Sequence, residues 1–360
     1  MADSEKISPT NDHTPSAASR SKNIMKWIAG ATAVLSLIFG LQQLVGWVFE
    51  YRAQKREITE QLELAKMQRT SSDYHAAWGS LEKAYVMDQQ DREVNEAREN
   101  LAMEWLENIS VKSGEETFTD IVNRILPALS RGVLKAEGQR KADLLAHIGW
   151  ADFLRWRDGN FALKPEASYQ KALAIDSSNV YAHVMWAHWI LWRDGEVAEA
   201  AIHFKKAVAS GRVRLYVRDL QLSALLNLHN EDTEDELVRV CHEMWRNDET
   251  IEDRHKRRIW SVYSSISGRI RRANTTTGQF RTIIDPVEEL ATFRWLFENW
   301  ERTANSPVYQ YILACLQEAA GEDEAALQTF QALRQNSTSR NLLLPRIDAG
   351  IRRVKAKLVE

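Results

Sequence analysis

The sequence predicts an all-α protein: an N-terminal transmembrane helix followed by a solenoid of helical hairpins. Three observations carry that expectation. Trp27 to Phe49 is a run of 23 residues without a charge. Glycine and proline are scarce, 15 and 7 in 360 residues, and 12 of the glycines lie beyond residue 50, too few turn residues for a sandwich or barrel. The decapeptide WADFLRWRDG at 150–159 returns as WAHWILWRDG at 186–195, identical at six of ten positions with an offset of 36. A period in the thirties means stacked supersecondary units, none of which can bury its apolar face alone.

Composition narrows the function classes. A hydrophobic content of 44% excludes a mostly disordered chain. Lys+Arg and Asp+Glu nearly cancel, 47 against 50, which is not the basic balance of a nucleic-acid binder. Two cysteines, Cys241 and Cys315, cannot build a disulfide framework.

In chain order, residues 1–22 are Ser, Thr, Pro, Asp and Lys with almost no large apolar side chain, and read as a disordered tail. Residues 23–50 hold the membrane helix. At ~1.5 Å per residue the uncharged run spans roughly 34 Å, enough for a hydrocarbon core of ~30 Å. Trp27, Trp47 and Tyr51 stand near its ends, where amphipathic rings favour the headgroup region. A cleaved signal peptide fits less well, because the stretch exceeds the ~7–15 residues of a signal core and no small-x-small site follows it. Basic residues do not orient the span: Arg20, Lys22 and Lys26 on one side face Arg52, Lys55 and Arg56 on the other. An extracytoplasmic C-terminal domain is preferred, as the commoner arrangement of bacterial single-span proteins. Thr32, Ser36 and Gly40 form a small-residue stripe through which two such helices would dimerise, although small residues are frequent in membrane helices anyway.

Residues 51–135 read as a helical region with one degenerate repeat, 136–210 as the two clearest repeats, 211–305 as a degenerate helical region, and 306–360 as a last repeat and tail. Helical periodicity marks 92–111, 115–135, 139–157, 213–229, 231–247, 251–267 and 287–302. The segment from Ala273 to Pro286 is the longest expected loop.

The residues after each decapeptide identify the unit. Val197, Ala200, Phe204 and Ala207 follow Gly195 in a spacing that resembles the second helix of a tetratricopeptide (TPR) repeat. Tyr169 and Ala172 occupy the same frame one repeat earlier, where Pro165 is expected to open the helix at its first position. Tyr74, Ala77, Leu81, Ala84 and Asp88 outline a copy near the membrane, and Leu313, Ala314, Gly321, Ala326, Phe330 and Leu333 one near the C-terminus. His188 and Asp152 depart from the pattern, standing where the family needs a small residue. The resemblance implies a solenoid whose first helices line a concave groove that binds peptides. Aligned on Gly159 and Gly195, that groove would be lined by Phe153, Trp156, Arg157, Trp189, Trp192 and Arg193. Aromatic and Arg side chains dominate binding hot spots, and Arg forks onto carboxylates. Trp150 and Trp186 are expected in the core instead, Trp156 and Trp192 in either place, and Asp158 and Asp194 in turns or caps.

Arg254, Lys256, Arg257, Arg258, Arg269, Arg271 and Arg272 form a basic cluster beside Trp260 and Tyr263, suited to anionic lipid or single-stranded nucleic acid. Pairing with the acidic run Glu231–Glu236 is the blander reading and is preferred. No phosphate-loop, dinucleotide, nucleophile-elbow or zincin motif occurs, so no enzyme, cofactor or metal is expected. His183 and His188 fall on different faces of one helix; His203 on the next helix is within reach of one of them, with a structural role preferred. The function expected is therefore a single-pass membrane scaffold that binds a protein or peptide. A permanently assembled subunit of a membrane complex is the alternative.

Overall fold

The computed structural model describes residues 17–111, 116–228, 230–265, 272, 279–303, 306–336 and 343–359, with side chains at 39 and from 41 onward. Among the described residues the protein is all-helical, with fifteen α-helices and no strand. The chain divides into two compact units, residues 1–101 and 102–360.

The first unit holds α1 (Ala17–Thr70), α2 (Tyr74–Met87) and the start of α3 (Arg92–Glu107). Residues 17–22, expected in the disordered tail, are the first turns of α1, since nothing in their Ala-Ala-Ser-Arg-Ser-Lys sequence breaks a helix. Residues 1–16 lie outside the described residues. So do the side chains of the Thr32, Ser36 and Gly40 stripe. Among the described residues no helix is long and apolar enough to cross a membrane. Most of the expected span, residues 27–38, falls where side chains are not described; its remainder carries Phe39, Leu41, Leu44, Val45, Trp47 and Phe49, all exposed.

The C-terminal part of α1 pairs with α2 as a hairpin. Ile58 of α1, Ala84 of α2 and Val94 of α3 share one buried cluster. Asp73 caps α2 by accepting from Ala76 N at 3.0 Å. Lys55 ties α1 to the turn between α2 and α3 through Asp91 at 2.5 Å and Asp88 at 3.4 Å.

The second unit begins with α4 (Phe118–Lys135), α5 (Gly138–Arg157), α6 (Pro165–Ile175), α7 (Val180–Arg193) and α8 (Val197–Ala209). It continues with α9 (Arg214–Leu225), α10 (Glu231–Arg246), α11 (Asp253–Ser264) and α12 (Pro286–Phe297). It ends with α13 (Pro307–Ala319), α14 (Asp323–Gln335) and α15 (Leu344–Lys357). α5 with α6 and α7 with α8 are hairpins, and α5, α7 and α9 pack side by side as successive first helices.

Small and aromatic residues set how closely each hairpin closes. Gly149 of α5 lies against Tyr169 of α6, and a Cβ there would meet the ring at 2.6 Å. Gly350 of α15 stands in the same relation to Phe330, at 2.7 Å. Ala200, Phe204 and Ala207 are buried on α8, and Ala326, Phe330 and Leu333 on α14. Pro165 opens α6, where its missing N–H costs nothing. Gly159 and Gly195 end α5 and α7 with φ of 106° and 72°, which only glycine adopts without strain. Asn179 binds the layers together: its side chain caps α7 through Ala182 N at 2.9 Å and donates to Asp143 of α5 at 2.6 Å.

Candidate functional site

The C-terminal halves of α5 and α7 bring the six expected groove residues together, but not all at the surface. Phe153 is fully buried and Trp189 is 2% exposed. Their rings meet edge to face at 5.8 Å, so neither presents a face to a partner. Trp156 and Trp192 are half-buried, and Arg157 and Arg193 are exposed. Trp156 stands edge-on to Trp189 at 4.9 Å and Trp192 edge-on to Phe153 at 6.0 Å, each leaving part of an indole outside. Trp150 is buried and donates its indole N–H to Leu106 O at 3.1 Å. Trp186, expected in the core with it, is half-buried, stacked on Tyr169 at 6.3 Å and against His203 at 4.7 Å.

His188 takes the place of the small residue the repeat needs. Its ring sits against Trp150 and Phe153 at 5.1 and 5.5 Å, and its Nδ1 is 3.3 Å from Leu220 O. Burial holds its pKa down to about 3, so it is a neutral core group that spans the gap to α9. Asp152, the other departure, is half-buried and raised by burial, against the opposing pull of Arg155.

The two arginines differ. Arg193 lies over Trp189 at 5.4 Å and is held by Asp194, Nε to both oxygens at 2.7 Å, and by Glu166 at 3.3 Å. Arg157 lies between aromatic rings, 4.7 Å from the centre of Trp192 and 4.8 Å from that of Phe118 on α4. No carboxylate comes within 4.0 Å of it among the described residues. Burial lowers its pKa, while Asp158 next to it pulls the other way. Asp158 is turned elsewhere and accepts from Thr119 N at 2.6 Å in the first turn of α4. The Trp192 indole nitrogen is also buried without a hydrogen-bond partner. The site thus presents an exposed cation beside the half-buried indoles of Trp156 and Trp192. Phe118 was not legible as part of it, being distant in sequence with no motif around it. Phe161, edge-on to Trp156 at 5.2 Å, directly follows the Gly159 turn and was within reach of inspection.

The basic cluster is drawn largely into internal pairs. Arg254 binds Asp219 and Glu252, and Arg258 donates to Leu226 O at 2.9 Å and Asn227 at 2.8 Å. Arg272 is buried against Glu289, whose side chain is fully enclosed. Arg257 reaches only Asp253 O, at 3.3 Å. Lys256 stands on the same helix, and Arg269 and Arg271 lie outside the described residues. The acidic run pairs elsewhere, with Arg281 binding Glu231 at 2.8 Å and Asp235 at 3.1 Å.

The first unit carries a cleft of about 300 Å³ floored by Leu62, Leu81 and Ala97, with Lys66, Arg69 and Glu93 on its walls. Charges of both signs give it no preference for an anionic or cationic ligand. Burial pushes the Cys241 and Cys315 thiols up to about 12, so neither is a thiolate nucleophile at neutral pH. Among the described residues no three His, Cys, Asp or Glu side chains are grouped for a metal ion.

No family model matches the sequence, and no curated protein matches it. Solved structures are similar to it at low identity. A tetratricopeptide repeat protein from Parabacteroides merdae aligns at 13% identity over 82% of this chain and 99% of that one, with a TM-score of 0.40. The TPR2AB domain of yeast Sti1, in complex with pHSP90, aligns at 16% identity over 83% of this chain and 98% of that one, with a TM-score of 0.26.

Proposed function

We propose that the chain is a membrane-anchored helical-repeat scaffold, not an enzyme, that holds a protein partner at the exposed end of the α5–α7 aromatic stack. The observation that carries this is Arg157. A guanidinium between two rings, partly desolvated and without a carboxylate of its own, is pre-organised to fork onto one from a partner. The outer edges of Trp156 and Trp192 add apolar area beside it, the combination on which binding hot spots rest.

The anchor is supported by the uncharged run from Trp27 to Phe49 and by the exposure of Phe39, Leu41, Leu44, Val45, Trp47 and Phe49. Apolar surface of that extent costs ~25 cal/mol per Å² in water, and a lipid phase removes the cost. Because α1 is one helix from Ala17 to Thr70, the first hairpin follows the span without a linker. The repeats are taken to lie on the extracytoplasmic side.

The test is co-purification from native membranes in mild detergent, comparing wild type with Arg157→Glu and Arg193→Glu after circular dichroism has shown each variant folded. The expected outcome is a defined protein lost with Arg157→Glu and retained with Arg193→Glu. If both variants keep every partner, the groove reading fails. A subunit assembled permanently through α1 and the flat helix faces then replaces it.

A further inference from the structure

We infer that His183 and His203 form a binding site for a divalent first-row transition-metal ion, bridging the two helices of the α7–α8 hairpin. The argument starts from the tautomer of His183. Its Nε2 lies 3.0 Å from Ser177 O, and a carbonyl oxygen can only accept, so Nε2 carries the proton. Nδ1 is then a bare lone pair. It faces Nδ1 of His203 at 2.9 Å, so in the metal-free protein His203 donates the proton that holds the pair together.

That is the arrangement of a metal-binding histidine with its outer N–H fixed by a backbone carbonyl. Two imidazoles on one tetrahedral ion, with metal–nitrogen bonds of ~2.0–2.1 Å, hold their nitrogens ~3.3 Å apart. The two Nδ1 atoms, now 2.9 Å apart, need part by only about 0.4 Å, with the rings tilting so that both lone pairs converge on the ion. The chemistry balances without loss of a proton: His203 moves its proton from Nδ1 to Nε2, and both Nδ1 lone pairs coordinate the ion. His183 is buried and rigid, whereas His203 is half-exposed, leaving the remaining positions to water. Lys206, one turn along α8, opposes a cation at both histidines, and Asp176 counters it in part at His183. Imidazole donors select copper, nickel and zinc over magnesium or calcium.

The test uses the full chain in detergent, without a polyhistidine tag and stripped with chelator. Calorimetric titrations with Zn²⁺ and Mg²⁺ are paired with electron paramagnetic resonance of the Cu²⁺ form. The expected result is one zinc equivalent, no magnesium binding and imidazole nitrogen coupling to copper. His203→Ala should weaken zinc binding roughly tenfold or more and remove the second imidazole from the copper spectrum. His203 is half-exposed, and circular dichroism is used to show its variant folded, with His203→Gln as the second variant; His75→Ala, at an exposed position in the first unit, serves as the control and should change nothing. Unchanged zinc binding in His203→Ala, or no binding at millimolar zinc, overturns the inference.

Discussion

At the end of α5, Arg157 lies between Phe118 and Trp192 with no carboxylate within 4.0 Å among the described residues, whereas the matching Arg193 at the end of α7 is clasped by Asp194 and Glu166. The two turns have the same Trp-Arg-Asp-Gly sequence. What separates them is the aspartate. Asp158 accepts from Thr119 N in the first turn of α4, where backbone N–H groups and the helix dipole favour a negative charge. Asp194 instead turns back on its own arginine. A neighbouring helix end therefore decides which arginine is clasped by its own aspartate.

The same contrast runs deeper in the two repeats. α5 has Gly149, into which Tyr169 packs, while the position 36 residues on is Met185, buried in α7. Trp186 beside it is half-buried, and His183 and His203 meet between α7 and α8. Decapeptides identical at six of ten positions thus sit in hairpins whose helices meet through different groups, Gly149 on Tyr169 in one and His183 on His203 in the other.

The comparison can be broken most directly at its buried pair. Phe153→Ala and Trp189→Ala should each destabilise by about 3–5 kcal/mol in chemical denaturation, because both rings fill core space. A cost under ~1 kcal/mol for either would return that residue to the groove.

Acid should separate the repeats next. The folded-state pKa of His188, about 3, lies below its ordinary 6.5, so between those values the unfolded chain binds the extra proton. Stability is complete above pH 6.5 and falls as pH drops towards 3, by an amount on the order of 3–5 kcal/mol. His188→Gln should flatten that slope in denaturation curves taken at several pH values, and an unaltered slope would assign it to other groups.

Smaller effects sharpen the picture. Gly149→Ala should cost about 1–3 kcal/mol through the clash with Tyr169, with a matching drop in melting temperature. Arg193→Ala should cost no more than ~1 kcal/mol, being a screened surface pair. A loss as large as that of Phe153→Ala would mean that the Asp194 clasp anchors the turn rather than merely occupying the arginine.

Much of the fold was legible because helices announce themselves locally. The expected helix at 139–157 is α5 from Gly138 to Arg157, and that at 231–247 is α10 from Glu231 to Arg246. Pro165 opens α6 as its fixed φ suits, and Asp158 and Asp194 stand in the turns that close α5 and α7. The site was legible in membership but not in exposure. Phe153 and Trp189 belong to the same aromatic cluster as Trp156 and Trp192, yet burial depends on how α5 and α7 are rotated against each other, which spacing does not report. Phe118 had no signal at all, since its contact with Arg157 is made by packing α4 on α5.

By itself the sequence determined the helical class, the uncharged N-terminal run, the repeat and the capping residues, because each depends on periodicity and on groups a few residues apart. Only the tertiary structure decided which aromatics are covered, that Asp158 hydrogen-bonds α4 and not Arg157, and that His183 meets His203. Those outcomes depend on the angle and closeness at which whole helices pack, summed over many side chains, and no local pattern encodes them.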